Sequence, residues 1–239
     1  MSDEYLFISD LHLDANRQDI TERLIDFLQN RAAQARFLYV LGDLFEAWIG
    51  DDDPAIELAS IFACFENLSR NTEIFFLPGN RDFLFGETGA RRLGANIIPD
   101  PSIITLGDRP VALLHGDSMC TDDYEYQEFR IMVRGEAWQK DFLDKPLSER
   151  KHIATGLRAQ SKANMKHKSM DIMDVNRQSV IAQFSELGVE TMIHGHTHQP
   201  AVHRYARNQV RYVLGDWNPQ PSYLSWRQES GFELIDYRV

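Results

Sequence analysis

Five apolar runs in this chain each break off into a short cluster of carboxylate, amide and imidazole side chains. That repeated pairing restricts the fold more than any other feature. Residues 5–8 lead to Asp10 and His12, and residues 37–41 lead to Gly42 and Asp43. Residues 74–77 lead to Gly79, Asn80, Arg81 and Asp82, and residues 111–114 to His115, Gly116 and Asp117. Residues 191–193 deliver His194, Gly195, His196, Thr197 and His198. Apolar runs this short, closed by turn residues, read as buried strands. Gly42 permits the tight turn that brings Asp43 close to the others. In open α/β sheets ligands gather beyond the carboxyl ends of strands, and all five clusters fall there.

Helical signals separate the early strands. Asp19 followed three residues later by Glu22 predicts a helix capped by Asp19, with Leu24, Phe27 and Leu28 on one face, running to about Ala35. Asp53 and Pro54 predict the cap and start of another, with Leu58, Ile61, Phe65 and Leu68 at helical spacing. Strand–helix–strand alternation up to Leu77 predicts a parallel sheet with right-handed crossovers. Shorter strands follow at residues 97–98, 103–104, 212–214 and 232–235, with a turn at 107–110, and predict a second, partly antiparallel sheet.

Residues 121–173 carry no strand signal. They read as a helical insertion over the mouth of the site, set into a core formed by residues 1–120 and 174–239. Phe129, Val133 and Leu157 fit core packing. The helical period between Met132 and Leu147 is poor, which leaves a piece of that stretch available to an apolar ligand. A chain of 239 residues can bury one such core.

The net charge of −11 argues against nucleic acid as a partner. The charge is uneven. Residues 145–170 hold seven Lys or Arg and one Glu, a local +6 against −17 for the rest, which predicts an anionic partner there. Without an apolar run of membrane-spanning length or a signal-like start, a cytoplasmic location is expected. Cys64 and Cys120 lack ligand spacing and read as reduced thiols.

The chemistry lies in seven candidate ligands: Asp10, His12, Asp43, Asn80, His115, His196 and His198. Two carboxylates, one amide oxygen and four imidazoles are too many for one ion but suit two, with a carboxylate bridging. Nitrogen and oxygen donors without thiolate favour Mn, Fe, Co or Zn over Ca. Two such ions can clamp the attacking and leaving oxygens of a phosphoryl displacement. His194 is placed to orient a ligand, and Asp117 to support one. His152, His167 and His203 read as ordinary histidines.

In this order the five clusters resemble the calcineurin-like metallophosphoesterases over most of the chain. The resemblance implies two packed mixed β-sheets flanked by helices. It assigns Asp10, His12, Asp43 and His198 to one metal, and Asp43, Asn80, His115 and His196 to the other. Many members carry His where this chain has Arg81. Arg is no general acid near neutral pH, but its planar fork grips phosphate oxygens, so a substrate with more than one phosphate is expected.

The strings at residues 45–52, 120–123 and 172–176, with the run from Gly79 to Leu84, are similar to the branch of the family that acts on UDP-2,3-diacylglucosamine in lipid A biosynthesis. That likeness implies water attack on the α-phosphorus, giving UMP and 2,3-diacylglucosamine 1-phosphate. It also implies two Mn²⁺ ions and peripheral attachment to the cytoplasmic face of the inner membrane. Asp43, Asn80, Arg81, His115 and His196 would be catalytic. Asn80, Arg81, Asp123, Ser161, Lys168 and His196 would meet the substrate. Met165 stands where the branch often has Asn, with Asn164 beside it. Arg158 and Lys162, one turn apart, can face anionic lipid headgroups. The alternative is a broader dimetal phosphodiesterase acting on nucleotides.

Overall fold

A computed structural model describes residues 3–165 and 170–239. The chain opens with β1 (Glu4–Ile8), α1 (Gln18–Asp26), β2 (Phe37–Val40), α2 (Ala59–Leu68), β3 (Glu73–Phe76), α3 (Glu87–Leu93) and β4 (Ala95–Ile97). The strands β5 (Ser102–Leu106) and β6 (Arg109–Leu114) form a hairpin. Four helices follow: α4 (Tyr124–Arg134), α5 (Glu136–Leu143), α6 (Leu147–Met165) and α7 (Met170–Met173). The chain closes with α8 (Arg177–Leu187), β7 (Thr191–His194), β8 (Ala201–Arg204), β9 (Val210–Val213), β10 (Tyr223–Arg227) and β11 (Gly231–Ile235).

Two mixed sheets result. One runs β11-β10-β1-β2-β3-β4 and is parallel from β1 to β4; the other runs β5-β6-β7-β9-β8 and is parallel through β6, β7 and β9. Alternation along each strand explains the continuous apolar runs, because both faces are covered. Leu6, Ile8, Leu38, Val40, Ile74 and Phe76 pack against Ile20, Leu24, Ile61 and Phe65 of α1 and α2. Phe7 and Tyr39 point the other way, joined by Phe75, and meet Leu113 and Ile193 of the second sheet. Phe7, Tyr39 and Phe75 stack in a row, with centroids 5.2 and 4.7 Å apart. Ala112, Leu114 and Met192 cover the far face with Val180 and Phe184 of α8.

The helix starts differ from expectation. Helix α1 begins at Gln18, and Asp19 lies inside its first turn. The Asp19 carboxylate is taken by Arg17 at 2.9 Å and Arg23 at 3.1 Å, and Arg17 stands at the cap position without a side-chain cap bond. After Asp53 and Pro54, Ala55 adopts a left-handed backbone (φ 45°) and a 3₁₀ turn intervenes, so α2 starts only at Ala59. Strands β8 and β10 had no sequence signal. Strand β8 is a largely exposed edge, and β10 is interrupted by Ser225. The final hairpin β10–β11 joins the first sheet, β10 pairing antiparallel with β1. The described part of residues 121–173 is a run of helices joined by short turns, with no strand.

Candidate active site

The carboxyl ends of β1, β2, β3, β6 and β7 deliver Asp10 and His12, Asp43, Asn80 and Arg81, His115, and His196 and His198 to one place. The connecting backbone is unusual. Asp10, His12, Asp43, His196 and His198 all have positive φ, between 50° and 67°. Each such non-glycine residue costs on the order of 1 kcal/mol, a cost the packed surroundings must offset. At Gly42 (φ 86°), a Cβ would lie 2.5 Å from the Gly79 Cα and 2.7 Å from the His115 Nδ1, so the loops can approach only around glycine.

Backbone bonds lace these loops together. Asp10 N–H donates to the Gly42 carbonyl (3.1 Å) and His12 N–H to that of Asp43 (3.0 Å). The buried Asp82 carboxylate then accepts from the backbone N–H of Gly79 (2.7 Å) and Asp43 (3.2 Å) on Oδ1, and from Leu44 (2.8 Å) on Oδ2. Burial and the nearby Asp43 push Asp82 up to about 7 against the pull of these donors.

Seven ligand candidates converge. His12 Nε2 lies 3.1 Å from His198 Nε2, which is 3.3 Å from Asp10 Oδ1. Asn80 Oδ1 lies 2.8 Å from His115 Nε2 and 3.0 Å from His196 Nδ1. Asp43 faces both groups, with Oδ2 3.9 Å from His12 and Oδ1 3.6 Å from His115, as a bridging carboxylate must. Asp10 also reaches both, for Asp10, Asp43 and His115 form a second compact triad beside Asp10, His12 and His198.

These residues fit divalent metal. Asp10 Oδ2 accepts from Ser9 (2.5 Å) and the His196 backbone (2.9 Å), while its Oδ1 is buried without a hydrogen bond. A buried carboxylate oxygen among lone-pair-bearing imidazoles calls for a cation. The electrostatics agree. Burial alone would lower His115, yet Asp43, Asp10 and Asp117 push it up to about 9. His196 is driven down to about 3 by burial and by the charge of His115. The cluster draws in positive charge at selected positions and keeps neutral imidazole donors elsewhere.

Around the ligands, His194 Nδ1 donates to the Gly195 carbonyl (2.8 Å), and Arg211 donates to its Nε2 at 2.9 Å. It therefore braces the loop carrying His196 and His198. Buried Asp117 accepts from Tyr126 Oη and Arg130 Nε, each at 2.8 Å, and so anchors α4 beside His115. Arg134 ties the same helix to the Gly79 carbonyl at 3.1 Å. Tyr126 stacks on His196, with centroids 5.8 Å apart.

A cavity of about 690 Å³ opens from this cluster between the core and helices α4–α6. Its polar end holds Asp43, Asn80, Arg81, His196 and His198. Asp123, which caps α4 by accepting from Tyr126 N–H at 3.1 Å, lies on its wall with Ser161. The same cavity is lined by the apolar side chains of Phe83, Leu84, Val133, Trp138, Phe142 and Leu157. Trp138 stacks on Phe142 at 4.9 Å. Asn164 lines the cavity. The side chain of Met165 and the whole of Lys168 lie outside the described residues. Lys162 likewise has no described side chain.

Arg158 faces inward, lining the cavity and pairing with Glu46, rather than toward headgroups. Neither Glu46 nor its pairing was legible in the sequence, because the partners are 112 residues apart. The string around Glu46 was the one available signal.

Residues 4–200 match the model of the calcineurin-like phosphoesterase family. The chain belongs to that family, and it is a hydrolase with a site for divalent metal. It is 48% identical to the UDP-2,3-diacylglucosamine hydrolase of Aromatoleum aromaticum, over 92% of each chain. It is 46% identical to the protein of the same name from Stenotrophomonas maltophilia, over 97% of each. Vacuolar protein sorting 29 from Cryptosporidium parvum shares the fold, with a TM-score of 0.51 at 10% identity, over 98% of this chain and 96% of that one.

Proposed function

We propose that this enzyme hydrolyses the pyrophosphate of UDP-2,3-diacylglucosamine, water attacking the α-phosphorus to give UMP and 2,3-diacylglucosamine 1-phosphate. The observation that carries this reading is the cavity, in which one wall joins the ligand cluster to an aromatic and aliphatic chamber. A nucleotide alone has no use for that chamber; a diacylated sugar fills it. The names of the two relatives support the same substrate.

Two divalent ions, Mn²⁺ by our reading, would lower the pKa of water and neutralise charge on the phosphoryl oxygens. The chain's own groups do the rest. Asp43, backed by the Arg81 N–H at 2.8 Å, holds the two halves of the cluster at a fixed spacing. Arg81, mostly buried at the cavity wall, turns its Nε toward Asp43 Oδ2 at 3.9 Å, and its planar fork would take pyrophosphate oxygens. Asn80 and His196 sit where they meet both metal and phosphate. Asp123 takes the glucosamine side and Ser161 a polar contact at the lipid end, with Asn164 in the place assigned to Met165. Residues 121–173 form the cap that holds the acyl chains.

We also propose peripheral attachment to the cytoplasmic face of the inner membrane. No described helix is long and apolar enough to cross a membrane. Ile131 and Met132 of α4, Leu143 of α5 and Ile172 of α7 are exposed, and the sequence of residues 145–170 carries a net +6.

The test is turnover of UDP-2,3-diacylglucosamine beside UDP-N-acetylglucosamine and a simple phosphomonoester, with Mn²⁺ supplied and then chelated. Cleavage of the diacylated substrate alone, dependent on metal and with ¹⁸O from water appearing in UMP, is expected. Equal rates on the unacylated nucleotide, or on bis(p-nitrophenyl) phosphate, would move the assignment to a broader phosphodiesterase.

A further inference from the structure

His12 converges on the cluster through one ring nitrogen only. Its Nε2 faces His198 and Asp43, so its Nδ1 points away from the cluster. On that side lies the Glu46 carboxylate, with Oε2 3.4 Å from Nδ1. The backbone puts it there: Glu46 N–H donates to the Leu13 carbonyl at 3.0 Å, and Leu13 and Phe45 form a parallel bridge. The other Glu46 oxygen belongs to helix α6. Arg158 donates to Oε1 through Nε at 3.0 Å and through Nη2 at closer range. One carboxylate thus faces a metal-ligand candidate with one oxygen and an arginine of the cavity wall with the other.

We infer that Glu46 is the positioning residue for His12, accepting a hydrogen bond from Nδ1–H so that Nε2 is presented to metal, and that Arg158 holds Glu46 in that orientation. The inference rests on the metal site of the proposed function and adds a link between that site and helix α6. Imidazoles that bind metal through one nitrogen commonly donate the other N–H to a carboxylate, and losing that partner costs about 10- to 100-fold in metal affinity. Among the described residues the Glu46 carboxylate pairs with His12 and Arg158, so the expected effect falls on the ion that His12 would hold. The planar fork of Arg158 makes the orientation specific, which a lysine at the same place cannot do.

The experiment is a titration of metal-free protein with Mn²⁺, following unbound Mn²⁺ by its paramagnetic resonance signal, for the native chain, Glu46→Gln, Arg158→Lys and the double variant. Native protein is expected to bind two ions. Glu46→Gln should weaken one of them by about 10- to 100-fold and leave the other unchanged. Arg158→Lys keeps the charge and should weaken the same ion by a smaller factor, with no further loss when added to Glu46→Gln. Thermal unfolding of the metal-free variants near the native temperature confirms that they fold. A Glu46→Gln isotherm that superimposes on the native one, or losses from the two substitutions that simply add, overturns the inference. A native chain that binds no Mn²⁺ refutes instead the metal site beneath it.

Discussion

Asp82 is the strongest test of how the site is held together, because an isosteric change separates its shape from its hydrogen bonding. Its Oδ1 accepts from Gly79 and Asp43, and its Oδ2 from Leu44 at 2.8 Å and Phe45 at 3.4 Å, with the side chain fully buried. In Asp82→Asn one oxygen remains, and the amide NH₂ must face the donors on the other side. At least one short bond becomes a contact between donors, leaving a backbone N–H and an amide N–H buried without acceptors. Unsatisfied buried donors cost about 1–3 kcal/mol each, so a loss of roughly 2–5 kcal/mol is expected, less whatever is recovered by removing a buried charge. For a domain of this size 1 kcal/mol moves the midpoint by about 2–4 °C, so a fall on the order of 4–20 °C should appear in calorimetry of the metal-free protein. Asp43 and Asn80 flank the bonded loops, so turnover should fall as well. A midpoint within about 1 °C of native would show that Asp82 does not hold these loops, and the account of the site would fail.

Other perturbations probe separate parts. Arg81→Lys keeps the charge but loses the fork, and kcat should drop about 100-fold, read in steady-state kinetics; a change in KM alone would contradict a role at the reacting phosphates. Trp138→Ala should raise KM for the diacylated substrate about tenfold while leaving the slow turnover of UDP-N-acetylglucosamine unchanged, and equal effects on both would remove the acyl chamber from the argument. At the far end of the first sheet, burial would raise Glu4, but hydrogen bonds from Arg31 (2.5 Å) and Arg227 (3.0 Å) outweigh it and hold the carboxyl below its usual value. A carboxyl depressed in the folded state stabilises above its unfolded pKa, about 4.3, and the contribution disappears as pH falls through the folded value. Glu4→Gln should therefore destabilise the protein to urea at pH 7 and do so much less at pH 3; the reverse order would show that the pair is not stabilising.

How much of this was legible before folding follows from the range of each interaction. Strands β1, β2, β3, β6 and β7 are buried on both faces, so each reads as an unbroken apolar run, and the polar residues that end each run are its site residues. All seven metal-ligand candidates therefore stood out along the chain, and the structure brings every one of them into the cluster. Strand β8 escaped notice because an edge strand needs no apolar face, and β10 because its pairing with β1 supplies what its own sequence does not.

Local sequence also misjudged groups whose partners are remote. Asp19 has the form of a helix cap, yet two arginines claim it. Arg158 has the form of a surface cation, yet Glu46 turns it into the cavity. By itself the sequence determined the five strands that carry the site, the candidate ligands and their order, since each depends on residues within a few positions of one another. The assignment of the last hairpin to the first sheet, the distances that set Asp43 between His12 and His115, and the bond from helix α6 to Glu46 were decided only in three dimensions. Each of those joins residues that become neighbours only when the two sheets pack, and no local pattern encodes which distant charge will be waiting there.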